Sequence, residues 1–163
     1  MKIFQRYKLT YMKRNIIVEI ISATLILLFL YAGVIKFLDF KVFIHDMDNQ
    51  PFPNWMTPYF VWTIPAIEIM ISITLIFERT RKIGLWASFI LMSLFTIYTA
   101  TVLLHFFDRI PCSCGGVIKN LTWKQHMFFD LFFEGISIAG ILLINKSTKQ
   151  KKKIKELHQV VFT

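Results

Sequence analysis

Charge is scarce in this 163-residue chain: Asp, Glu, Lys and Arg make up 18%, against 55% for the hydrophobic types. A water-soluble fold carries about a quarter charged residues. It could not hide this much apolar surface without exposing large patches, which excludes the soluble globular classes. Acids are rarer than bases, ten against nineteen, and leave a formal net charge of +9. The bases fall in short clusters between apolar runs, so no nucleic-acid partner is expected; a binding groove needs basic residues spread over one folded face. Alternating polarity is missing too, and membrane-barrel strands of about ten residues require it. Glycine is sparse at 6, and cysteine is limited to two residues, Cys112 and Cys114.

What is abundant is long apolar sequence, with 17 phenylalanines in it. Four stretches, 16–37, 58–77, 83–107 and 123–144, have the length of about 20 helical residues that crosses a hydrocarbon core. In lipid the backbone must satisfy its own hydrogen bonds, so each reads as a helix. The predicted fold class is all-α: an integral membrane four-helix bundle with short extracytoplasmic loops. A basic arm (1–15) and a basic tail (146–163) flank the transmembrane domain (16–145). The first span is too long for a cleaved signal peptide and lacks a small-x-small site before Lys36 and Asp39. Thr57-Pro58 predicts a hydroxyl cap with proline at the first helical position. Pro65 predicts a kink inside the second span.

Orientation follows from the basic residues. The arm carries five, the connection at 79–82 three and the tail six, fourteen on one side. Lys36, Lys41, Arg109, Lys119 and Lys124 make five on the other. The positive-inside rule then sets both termini in the cytoplasm. The expected location is a bacterial inner membrane, with the cysteine loop on the periplasmic side and the lipid bilayer as principal partner. Trp55, Tyr59, Trp62 and Trp123 at outer helix ends, and Trp86 at an inner one, read as headgroup-level anchors.

Cys112 and Cys114 lie in Arg109-Ile110-Pro111-Cys112-Ser113-Cys114-Gly115-Gly116, on the side where disulfides persist. A bridge across one residue closes a very small ring, which strains it and makes it easily reduced. Structural staples usually close long loops, so the pair reads as a redox element. Cys112 is the favoured attacking thiol, because Arg109 favours its thiolate. Two other readings stay open: a zinc or copper(I) site of His105, Cys112, Cys114 and His126, or an inert bridge capping the helix connection. There is no second dithiol, so the chain cannot run a two-pair electron relay alone. No cofactor of its own is expected; a quinone would act through a partner.

Four acids fall inside the spans: Glu19, Glu68, Asp130 and Glu134. Charges in lipid are costly, and such residues face the bundle interior or a wet cavity. His126, Asp130 and Glu134 are four apart and share a stripe with Trp123 and Ser137, opposite Phe128, Phe132 and Ile136. Glu68 shares a face with Ser72 near mid-span and has no base at its depth unless Lys36 bends inward. The stripe could accept protons released by thiol oxidation, or it could simply hydrogen-bond between helices. Glu19 sits near enough to the inner face to reach the headgroups.

Leu30-Tyr31-Ala32-Gly33-Val34-Ile35-Lys36-Phe37-Leu38-Asp39 resembles the end of the first helix in DoxX-like membrane proteins. Glu68 within Ile64-Pro65-Ala66-Ile67-Glu68-Ile69 resembles their second-helix acid. Pro111-Cys112-Ser113-Cys114-Gly115-Gly116-Val117 with Leu121-Thr122-Trp123-Lys124-Gln125-His126 is similar to the methylamine-utilisation MauE branch. The resemblance spans residues 16–144. It implies an accessory role in extracytoplasmic thiol–disulfide chemistry, forming disulfides in, or passing electrons to, a periplasmic thioredoxin-like or disulfide-containing partner. An oxidoreductase component is within that implication. The alternatives are a membrane scaffold or partner-binding subunit without redox activity, and a small proton-coupled carrier using Glu68, Asp130 and Glu134.

The orientation is directly testable. A membrane-impermeant maleimide added to intact, reduced cells is expected to label Cys112 and Cys114. Labelling only after the membrane is permeabilised would reverse the topology.

Overall fold

The computed structural model describes residues 2–106 and 122–161, with side chains over 9–106 and 122–154. Five α-helices account for most of it: α1 (Lys2–Leu38), α2 (Phe40–Asp48), α3 (Thr57–Ile76), α4 (Arg81–Leu103) and α5 (Trp123–Val161), with a 3₁₀ turn at Asn54–Met56. Four of them are long and apolar enough to cross a membrane, over Leu9–Leu38, Asn54–Ile76, Arg81–Leu103 and Trp123–Ile154. They form a ring in which α1 packs on α3 and α5, and α4 packs on α5 and α3. The protein is a multi-pass membrane helical bundle.

The distribution of side chains is what lipid, rather than water, demands. Large apolar residues such as Leu27, Met70, Ile90 and Ile97 face outward, while Ser22, Ser72, Ser88 and Ser137 are buried between the helices. Small residues let helix backbones approach, and packing rather than the hydrophobic effect then holds the helices together. Each buried serine donates its hydroxyl to the carbonyl four residues back: Val18 at 2.8 Å, Glu68 at 3.0 Å, Gly84 at 2.8 Å and Phe133 at 2.9 Å. No buried hydroxyl among them lacks an acceptor. Leu25, Phe29, Ile71, Leu75, Leu85 and Ile141 form the central apolar core.

α1 runs for 37 residues, about 55 Å at 1.5 Å per residue, and α5 for 39. Both exceed the hydrocarbon thickness of about 30 Å. The basic arm and tail are therefore continuations of membrane helices, and they meet where Ser147 Oγ donates to Asn15 Oδ1 at 2.5 Å.

Several local expectations change. α3 begins at Thr57, with Met56 in the cap position and no side-chain cap; Thr57 is buried instead. Pro65 lies inside α3 and is itself buried. α4 stops at Leu103, short of Phe107, because His105 takes a left-handed φ of 54°. Ile136 packs partly against the core, while Phe128 and Phe132 remain exposed. Eight residues of helix drift by about 80° around the axis, which carries Ile136 off the lipid face. α5 starts at a reciprocal capping box: Gln125 Oε1 accepts from the Thr122 backbone N–H at 2.9 Å, and Thr122 Oγ1 faces the Gln125 N–H at 3.4 Å.

The first inter-span connection contains an unexpected helix, α2. Its Phe43 and Met47 bury against Val61 of α3, with Phe40, Ile44, Phe60 and Ile64 around them. The loop is thus a packed cover over one end of the bundle, opposite the end where the termini project.

Close packing at Gly140 offers a test. A Cβ there would come within 2.8 Å of Leu85 Cδ2 and 3.0 Å of Ile21 Cγ2, whereas one at Gly135 meets nothing within 4 Å. Gly140→Val is expected to cost about 1–3 kcal/mol through overpacking, read as a lower unfolding temperature in detergent. Gly135→Ala is expected to unfold at or above the parent temperature, because it also gains helix propensity.

Candidate functional site

Several buried ionisable residues, Lys36, Glu68 and Asp130, gather toward the α2 end. Lys36 near the end of α1 is 7% exposed and Glu68 in mid-α3 is 1% exposed. The Lys36 ammonium donates to Glu68 Oε1 in a buried ion pair. Lys36 does bend inward, and α2 lids the pair: its Nζ lies 5.9 Å from the Phe43 ring centroid, in cation–π range. Gly33, one turn before Lys36, makes the approach possible. A Cβ there would stand 3.0 Å from Ile69 Cγ1 and 3.3 Å from the Pro65 carbonyl oxygen. Glu68 Oε2, by contrast, is buried with no hydrogen-bond partner.

The stripe on α5 forms the opposite wall. His126 Nδ1 lies 3.4 Å from Asp130 Oδ1 without the alignment of a hydrogen bond. Asp130, 1% exposed, accepts from Thr99 Oγ1 of α4 at 3.0 Å. One turn deeper, Glu134 accepts from Ser93 Oγ at 2.7 Å and Thr96 Oγ1 at 3.1 Å. The stripe is real, and its acids bond between helices α4 and α5. Glu19 stands apart on the exposed side of α1.

Between the two walls is a cavity of about 480 Å³, within the usual range for small-molecule sites. Lys36, Glu68, Thr99, His126 and Asp130 line it, together with rings including Phe29, Phe95 and Phe129. Lys36 and His126 thus face the same cavity from opposite walls. Phe52, Ile67 and Leu94 also line the cavity while remaining 37%, 45% and 57% exposed, so it is partly open to the outside of the bundle.

Some residues of this site carry weaker sequence signals. Gln50 is buried, donates to the Asp46 carbonyl at 3.0 Å and accepts from the Tyr98 hydroxyl, tying the first connection to α4. Phe52 packs on Tyr98 at 5.6 Å. The Phe40, Phe43, Ile44, Met47 spacing is the helical signal that betrays α2. Trp55, Tyr59 and Trp62 are exposed. Trp123 instead turns inward, lining the cavity 6.4 Å from the Tyr98 ring, edge to face. Cys112, Cys114 and Arg109 lie outside the described residues. Of the possible metal ligands, His105 is exposed after α4 and His126 faces Asp130. The described residues contain no group of three His, Cys, Asp or Glu arranged for a metal.

Comparison with known proteins gives one family. The model of methylamine utilisation protein MauE matches residues 14–144, most of the chain and at least part of every span. Neither a curated protein nor a solved structure matches it.

The ion pair yields a prediction. Lys36→Met strands a carboxylate in the bundle and is expected to cost about 3–5 kcal/mol, seen as loss of folded protein in detergent. Lys36→Met/Glu68→Leu should recover most of it; a double variant no better than the single would refute this electrostatic account.

Proposed function

The chain belongs to the methylamine utilisation protein MauE family, and from that premise we propose that it serves thiol–disulfide chemistry on the outer side of a bacterial inner membrane. Cys112 and Cys114 are the exchanging pair, and both termini are cytoplasmic. The partner is a periplasmic thioredoxin-like or disulfide-containing protein. The observation that carries the reading is the Cys-x-Cys pair itself, in the connection between the last two spans of a MauE-family chain.

The chemistry is an exchange. The Cys112 thiolate attacks a partner disulfide, a mixed disulfide forms as the partner's other sulfur leaves as thiolate, and Cys114 resolves it to the small-ring bridge. That ring is strained, so the reverse direction, giving the bridge to a reduced partner, is favoured thermodynamically. His126, Asp130, Glu68 and Glu134 handle protons or hold the bundle's polar interior. The connection bearing the cysteines leaves from α4 and returns to α5 at the cavity end, which supports placing thiol and proton chemistry at one end of the bundle.

Trapping tests this. In membranes quenched with acid, Cys114→Ala should accumulate a mixed disulfide with a partner that reductant releases, and Cys112→Ala/Cys114→Ala should accumulate none. If the double variant keeps every phenotype of the parent, thiol exchange is not the function.

A further inference from the structure

The two segments that flank the spans hold the whole of the excess charge. Residues 1–15 and 146–163 contain eleven of the nineteen bases and one of the ten acids, Glu156. They carry ten net positive charges, and residues 16–145 carry one net negative charge. The structure joins these distant segments. α1 and α5 continue into them as helices, and Ser147 Oγ donates to Asn15 Oδ1 across 132 positions of sequence. That contact brings the turn holding Lys13 and Arg14 alongside the turn holding Lys146 and Lys149, all four within one helical turn of it, about 5.4 Å along each axis. Lys13, Lys146 and Lys149 are exposed and Arg14 is half-buried. Among the described residues none of the four forms an ion pair. Glu19, one turn further in on α1, is the acid closest to them in sequence, and four bases against one acid keep the seam cationic. Two like-charged turns packed side by side repel, and an anion held between them relieves the repulsion.

We propose that this end of the α1–α5 seam binds the headgroup of an anionic phospholipid. The surface just inside it favours a lipid over a soluble anion. Ile16 and Ile20 of α1 and Leu142 of α5 lie one to two turns toward the middle of the spans, and all three are exposed. Acyl chains lie along those side chains while the phosphate meets the ammonium and guanidinium groups, so one molecule satisfies both surfaces. Lys and Arg clustered directly beyond a membrane helix attract anionic headgroups, each cation adding about fivefold in affinity. Setting topology needs only an excess of basic residues on one side. It does not need the arm and the tail to be helical, nor to meet. The two roles therefore separate by experiment, and neither cysteine takes part in this one.

Native mass spectrometry of the purified full chain, offered equal amounts of dioleoylphosphatidylglycerol and dioleoylphosphatidylethanolamine, tests the binding. The anionic lipid is expected to be retained in preference. Lys146→Gln/Lys149→Gln and Lys13→Gln/Arg14→Gln should each weaken its retention about twenty-fivefold. Lys146→Arg/Lys149→Arg, which keeps the charge, should hold the lipid, and so should Lys41→Gln/Lys124→Gln at the opposite end of the bundle. Each glutamine pair at the basic end leaves twelve bases on that side against five on the other, so orientation is preserved. An unfolding temperature equal to the parent's shows that the fold is too. Glycerophosphoglycerol, the same headgroup without its chains, should not displace the lipid at equal concentration. Equal retention of the two lipids, undiminished retention in both glutamine pairs of the basic end, an equal loss in either control pair, or displacement by the soluble headgroup would each overturn the inference.

Discussion

Hydrocarbon cannot solvate an ion, and the Lys36–Glu68 pair is where that constraint bears hardest on this bundle. Each partner alone would be a stranded charge among apolar helices. Together they need three things: α1 and α3 in close contact, a glycine at position 33 to allow it, and a cover that keeps the ammonium from the headgroups. The chain supplies all three, the last through α2 with Phe43 over the Lys36 ammonium. The shape of the α2 end, and hence the cavity, follows from housing this pair.

The opposite wall obeys the same constraint by a different route. Among the described residues Asp130 and Glu134 pair with no lysine or arginine; threonine and serine hydroxyls of α4 donate to them instead. Such hydroxyls are short, and the single Thr96 proton is shared between the Met92 carbonyl of its own helix at 2.9 Å and Glu134 at 3.1 Å. They can serve a neighbouring carboxyl without opening the backbone. The result is a bundle whose interior is polar in discrete patches and whose exterior exposes many large apolar side chains along the spans.

A largely apolar cavity that holds a few ionisable side chains, at the same end as the cysteine connection, sets the two ends of the molecule apart. The half bearing the termini is packed by Leu25, Leu75, Leu85 and Ile141 with serines between the backbones. The half bearing α2 keeps open volume and ionisable groups. Open volume thus lies at one end, and close packing at the other holds the helix spacing on which it depends.

Composition and hydropathy by themselves determined the four spans, the all-helical class, and the acid stripe on α5, because lipid punishes any other arrangement and because residues four apart on a helix must share a face. The cysteine motif and the family were likewise legible as local strings. The sequence did not disclose that Lys36 reaches Glu68, 32 residues away, that Gln50 clasps Tyr98, or that Trp123 turns inward. Those facts depend on which helix neighbours which, and on the rotation of each about its axis. In a bundle whose apolar faces are nearly uniform, hydrophobic periodicity sets neither. Only tertiary packing, driven by the need to pair buried polar groups, decided them.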